Sequence, residues 1–231
     1  GTWRNGTENW TTTNGDANHD WGSRFAVFQG DAGTVLVDGT NGRISVTGMQ
    51  FAVDGYHVEG DAITLAATES VIRVGDGSQA GANYVATIAS DLRGDGALIK
   101  DDLGTLVLTG NNSYRGDTVV RAGTLVGDTG SIRNNIGNNG HVVFHEDYDA
   151  VFEGNIYGRG TMEKSGLGTL TLAGRSDLDW VISQGGLVSR TDLFGGNVSI
   201  AGGRFMQFEQ DGSGTYRGTI SGSGGLRVTV G

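Results

Sequence analysis

Gly104-Thr105-Leu106-Val107-Leu108-Thr109-Gly110 returns 64 residues later as Gly168-Thr169-Leu170-Thr171-Leu172-Ala173-Gly174. Alternation at period two sends Leu106 and Leu108 to one side of a strand and Thr105, Val107 and Thr109 to the other, the pattern of a half-buried strand. The echo extends further. Gly94, Gly158 and Gly222 keep the same 64-residue step, and Phe144, Phe152, Gly154 and Ile156 reappear as Phe208, Tyr216, Gly218 and Ile220. Self-similarity of this kind marks a repeat architecture, and each unit divides into three turns of about 21 residues, a usual solenoid period. The chain therefore reads as all-β, a right-handed parallel β-helix with about three coils per 64-residue repeat. Leu170 and Leu172 are expected to take the places of Leu106 and Leu108 in a later coil. A β-propeller or sandwich also offers many short strands, but blades repeat at about 40 to 50 residues and a sandwich need not repeat.

Composition agrees. Glycine occurs 43 times and proline never in 231 residues, against roughly 16 and about 12 at average usage. Abundant Gly without Pro, amid alternating Val, Ile, Leu and Thr, points to short strands joined by turns of positive φ. Asn111, Asn112, Asn134, Asn135, Asn138 and Asn139 stand in turn contexts, where Asn tolerates left-handed backbone and can build stacked ladders. Cysteine is absent, which excludes disulfides and thiolate metal sites. The net charge of −10 excludes a sequence-independent nucleic-acid binder, which needs clustered cations. No apolar run reaches the length of a membrane helix, so no membrane contact is expected of this segment. Residues 1–24, with Trp3, Trp10 and Trp21, are expected to form an amino-terminal cap on a β-helix spanning residues 25–231. The third copy stops before its Gly-Thr-Leu run, so residue 231 is expected to fall inside a repeat.

The segment Gly96-Ala97-Leu98-Ile99-Lys100, then Gly104 to Tyr114, then Ala122-Gly123-Thr124-Leu125, resembles the autotransporter-associated strand repeat. Met162, Lys164, Gly168, Thr169, Leu170, Thr171, Leu172 and Gly174 keep the first half of that pattern; Ser176-Asp177-Leu178-Asp179-Trp180 then replaces the Asn-Asn-Ser-Tyr turn. Trp3, Asn9-Trp10 and Trp21, with the following Phe25-Ala26-Val27-Phe28, look like an opening passenger module. The resemblance implies type V secretion, with exposure at or release from the surface of a Gram-negative cell and an outer-membrane β-barrel at the carboxy terminus of the full chain. It further implies an adhesin, a self-association factor or a stalk for another activity. Its partners would be a host-cell surface or matrix, or identical passengers on neighbouring cells.

Candidate chemistry is sparse. His141 and His145 would share one face of a helix, but in a strand four residues span about 13 Å, too far for one metal ion. Asp101-Asp102 suits the acidic cluster of a carbohydrate-degrading β-helix, yet Ser165-Gly166 replaces it in the next copy, which favours an exposed turn. No catalytic triad, metal site or cofactor site is identified, and the chain reads as no enzyme. One short motif recurs: Arg93-Gly94-Asp95 and Arg115-Gly116-Asp117. Presented from a protruding loop, its guanidinium and carboxylate would suit an integrin-like receptor. Gly94 is also demanded by the 64-residue register, and the turn after Tyr114 is expected to leave the second tripeptide more room to protrude. Adhesion or self-association leads the functional reading; an inert stalk of a secreted enzyme or toxin, and a carbohydrate-degrading helix, are the alternatives.

Overall fold

A computed structural model of the chain describes residues 1–11 and 18–231. The chain divides into two compact units, Gly1–Asp117 and Thr118–Gly231. Each is a stack of parallel strands in which the chain visits one sheet after another and then returns to the first one coil higher.

In the first unit, Phe25–Phe28, Gly48–Phe51, Glu69–Val74 and Ala97–Asp101 pair in parallel on one face. Thr34–Asp38, Tyr56–Gly60, Val85–Ile88 and Thr105–Leu108 make the second. The short strands Ile44–Val46, Ile63–Leu65 and Leu92–Arg93 make the third. Register places like on like, because a side chain that points inward in one coil lies over its counterpart in the next. Ile44, Ile63 and Leu92 form one buried column; Val58, Ile88 and Leu108 form another. Leu106 and Leu108 are buried while Thr105 and Val107 are half-exposed, as the alternation requires. At the amino-terminal end Trp3, Trp10, Trp21 and Phe28 cluster, with Trp10 and Trp21 ring centres 4.6 Å apart and Trp3 and Trp21 5.0 Å apart.

The second unit repeats the plan. Leu125, Val142, Met162, Trp180 and Val198 stack in one face, and Ala150, Leu170, Leu187 and Met206 in a second. Three coils, from Thr124 through His141 and Thr161 to Asp179, consume 55 residues. A 64-residue step thus runs three coils and about one face further. Phe144 lies in the first of these faces, whereas Phe208, its sequence echo, lies in the second. The same step carries Ile156, paired with Ile136, to Ile220, paired with Val198 in another sheet. Equal spacing was expected to return residues to one face; instead it preserves the local strand, turn and strand and rotates it around the coil. Leu170 accordingly packs between Ala150 and Leu187 in a face of its own unit.

Turn chemistry explains what the echo does conserve. Gly94, Gly158 and Gly222 all have positive φ, at 135°, 125° and 94°. A Cβ at Gly94 would come within 2.3 Å of the Leu65 carbonyl oxygen, and one at Gly158 within 2.1 Å of that of Asn138. Only glycine meets both conditions without displacement of the coil below. Asp102 and its echo Gly166 likewise share left-handed backbone, with φ of 66° and 76°.

Candidate functional site

Leu92 is fully buried in the third face of the first unit, so its neighbour Arg93 points outward. The chain then turns through Gly94 into Asp95 and Gly96. One coil later Tyr114 is buried, and the Arg115 and Gly116 amides donate to the Gly94 and Gly96 carbonyls at 2.9 and 3.2 Å. The two Arg-Gly-Asp sequences are therefore stacked corners of adjacent coils. Arg115 Nη1 lies 3.1 Å from Asp95 Oδ1, with side chains 82% and 87% exposed, and Arg93 lies 3.6 Å from Asp91. Asp95 is exposed and Asp117 half-buried, whereas the Arg115 side chain is 82% exposed and that of Arg93 59%. Gly116 is structural as well, because a Cβ there would sit 2.4 Å from the Ala97 nitrogen.

An open groove of about 620 Å³ runs beside the first corner. Ala62, Leu65, Ala66 and Ala67 supply its apolar lining, Thr64 and Thr68 its hydroxyls, and Arg43 and Arg93 its cations. Arg43 makes no ion pair among the described residues.

The other candidates resolve into local contacts. His141 reaches Thr161 at 2.9 Å and Glu163 at 3.4 Å; His145 reaches Ser165 at 3.0 Å and Asp147 at 3.5 Å. Among the described residues no three His, Asp or Glu side chains gather as metal ligands. Asp102 accepts the Gly77 and Leu103 amides at 3.0 and 2.8 Å, and Asp101 accepts the Asp102 amide at 2.9 Å. Both carboxylates are engaged in building a turn. The expected Asn ladders are present: Asn135 Oδ1 accepts the Asn155 amide and Asn155 Oδ1 the Arg175 amide, each at 3.0 Å, one coil apart.

Two residues with no role in the sequence reading emerge as buried polar anchors. Lys100 extends an inward column of Ala26, Met49 and Ile72, and its Nζ donates to the Asp101 and Asp102 carbonyls at 2.9 and 2.7 Å. Lys164, its echo, stands between Phe144 and Ile182 and donates to the Ser165 and Gly166 carbonyls at 2.5 and 2.9 Å. Burial pulls the Lys100 ammonium down to about 8, against the opposing pull of Asp102 and Asp101. Desolvation lowers Lys164 too, and raises the buried Glu146 carboxyl, which accepts the Thr129 amide at 2.6 Å. The recurring Lys inside an apolar alternation was the available signal.

The profile of the passenger-associated transport repeat matches residues 98–126 and 162–178. The chain is 52% identical over 123 residues to the adhesin BmaC autotransporter of Brucella suis biovar 1 (strain 1330), covering 52% of the chain and 4% of that protein. It is 50% identical over 48 residues to an extracellular serine protease of Serratia marcescens, covering 21% of the chain and 4% of the relative. The matched stretches thus span a small part of either relative. No solved structure matches.

Proposed function

We propose that this segment of an autotransporter passenger is a non-enzymatic surface for adhesion and self-association, exposed on or released from a Gram-negative cell. The observation that carries the reading is the division of each coil into an apolar inside and a polar outside whose contacts recur rung by rung. Asn135, Asn155 and Arg175 make one such column; Asp179, Asn197 and Thr219 make another, with amide-to-carboxamide or carboxylate distances of 2.8 to 3.0 Å. Single exposed polar contacts contribute about 0 to 1 kcal/mol, so a surface that repeats them along a solenoid gains by number. The adhesin relative supports this reading. Its partners would be a host-cell surface or matrix, or identical passengers on neighbouring cells, with a membrane β-barrel elsewhere in the full chain holding it.

The protease relative favours a second reading, in which the segment is an inert stalk for an activity located elsewhere. Bacteria displaying the complete passenger should aggregate, or attach to host cells, more than bacteria lacking it. Equal behaviour across salt and pH would leave the stalk reading in possession. Arg93, Gly94, Asp95, Arg115, Gly116 and Asp117 are proposed as receptor-binding elements within the adhesive reading. Attachment of integrin-bearing cells should fall on Asp95→Glu or Asp117→Glu, because the added methylene changes the spacing of carboxylate and guanidinium while leaving the charge. Unchanged attachment by both variants removes the tripeptides from the receptor site. Residues 1–24, of which 12–17 lie outside the described residues, are proposed to cap the first coil.

A further inference from the structure

We propose that the groove beside Arg93 receives the Asp147-Tyr148-Asp149 turn of a second copy of this chain. The proposal rests on the self-association reading and names the contact that would produce it. Tyr148 is 85% exposed and Leu167 is 75% exposed. The backbones of the two turns run close, since a Cβ at Gly168 would lie 2.2 Å from the Tyr148 carbonyl. An aromatic ring held out in water, away from its own core, is the type of side chain that anchors protein interfaces. It carries a carboxylate on either side. Asp149 Oδ1 accepts the Thr169 amide at 2.8 Å, which fixes the turn, and Asp147 lies 3.5 Å from His145 at the surface.

The groove has the opposite character. Its volume of about 620 Å³ falls in the range of roughly 300 to 1,000 Å³ over which clefts enclose a ligand group. Its lining is mixed: Ala62, Leu65, Ala66 and Ala67 offer apolar contact, and Thr64 and Thr68 offer hydroxyls to meet a phenol. Arg43 and Arg93 line the groove, Arg93 lying 3.6 Å from Asp91, and the one lining carboxylate, Asp95, is already engaged by Arg115 at 3.1 Å. In a chain of net charge −10, Arg43, which makes no ion pair among the described residues, leaves a local positive charge on the groove, while Arg93 is shared with Asp91. Opposite charge on knob and groove steers the encounter and disfavours knob against knob. Because knob and groove are different patches, the contact is heterologous: each copy donates a turn to one neighbour and accepts a turn from another. Copies on facing cells would then join in chains.

Complementation tests this directly, using the complete passenger displayed on cells. One strain carries Tyr148→Ser, which removes the knob and spares the groove; another carries Arg43→Glu with Arg93→Glu, which spoils the groove and spares the knob. All three positions are exposed or lie on the groove rim, and protease resistance of the displayed passenger checks folding independently. Each strain alone should aggregate about tenfold more slowly than wild type; a mixture of the two should aggregate again, since the intact knob of one fits the intact groove of the other. Tyr148→Phe, which keeps the ring, should retain aggregation. Wild-type aggregation by both variant strains, or failure of the mixture to recover, overturns the knob and groove while leaving self-association standing. Loss of host-cell attachment with intact aggregation in the Arg43→Glu, Arg93→Glu strain also overturns the proposal and assigns these arginines to a host receptor. If bacteria lacking the passenger aggregate as well as wild type, it is the self-association reading itself that fails.

Discussion

Lys100 occupies the inward column of Ala26, Met49 and Ile72, where an ammonium is costly unless the chain supplies acceptors. The Asp101 and Asp102 carbonyls do so within the turn that Lys100 itself introduces. Desolvation still brings its pKa to about 8 in the folded protein, below the ordinary 10.5. Between these two values the unfolded chain holds the proton more tightly, so the stability contributed by this group increases as pH rises through the window. Equilibrium unfolding of wild type and Lys100→Met across that range should show the component in wild type and its loss in the variant. Parallel profiles would mean that the ammonium is not desolvated. The conserved spacing of Lys100 and Lys164 was visible in the sequence. Their burial was not, because period two gives the side of a strand but does not reveal that a turn will bend its carbonyls back over the end of the side chain.

At the scale of the strands and turns, alternation located the Thr105–Leu108 and Thr169–Leu172 strands and their inward leucines. It could not place those strands around the coil. Successive coils of the second unit take 17, 20 and 18 residues from Thr124 to Asp179, and these lengths are set by turns with no apolar period of their own. The turns are held instead by side-chain ladders. Asn155 both receives and extends one: its amide donates to Asn135 and its Oδ1 accepts the Arg175 amide at 3.0 Å. Asn155→Ala should cost about 1 kcal/mol, the usual net worth of one such bond. Asn111 provides the comparison, since only its backbone amide, which donates to Asp91, joins the corresponding contact. Asn111→Ala should change stability by no more than about 0.5 kcal/mol. Equal effects in urea unfolding of the two variants would show that the ladder contributes nothing beyond the turn it decorates.

Across the whole chain, parallel stacking makes each coil depend on its neighbours, so that a loss at one place need not unfold the rest. The Trp-rich start was visible in the sequence; the groove was not, because residues 43, 62, 64–68 and 93–96 meet there from successive coils, and nor was the exposure of Tyr148, since an aromatic side chain in a turn carries no period that gives its side. Trp3 is 1% exposed and touches Trp10, Trp21 and Phe28, with ring centres 5.1, 5.0 and 5.6 Å away. Its backbone also pairs the Thr2–Arg4 strand with Leu36, Val37 and Asp38. Trp3→Ala should remove about 3 to 5 kcal/mol of packing. If the cluster acts as a cap, that loss is local. Hydrogen exchange in the complete protein should speed up in the Thr2–Arg4, Thr34–Asp38 and Tyr56–Gly60 strands, while the Thr161–Ser165 and Asp179–Ile182 strands of the second unit keep their protection. Uniform acceleration across both units would instead make the solenoid one cooperative body and the cluster part of its common core. No acceleration in the first three strands would mean that the tryptophans cover a surface the coils do not need covered, and would turn attention to the cluster as a binding face.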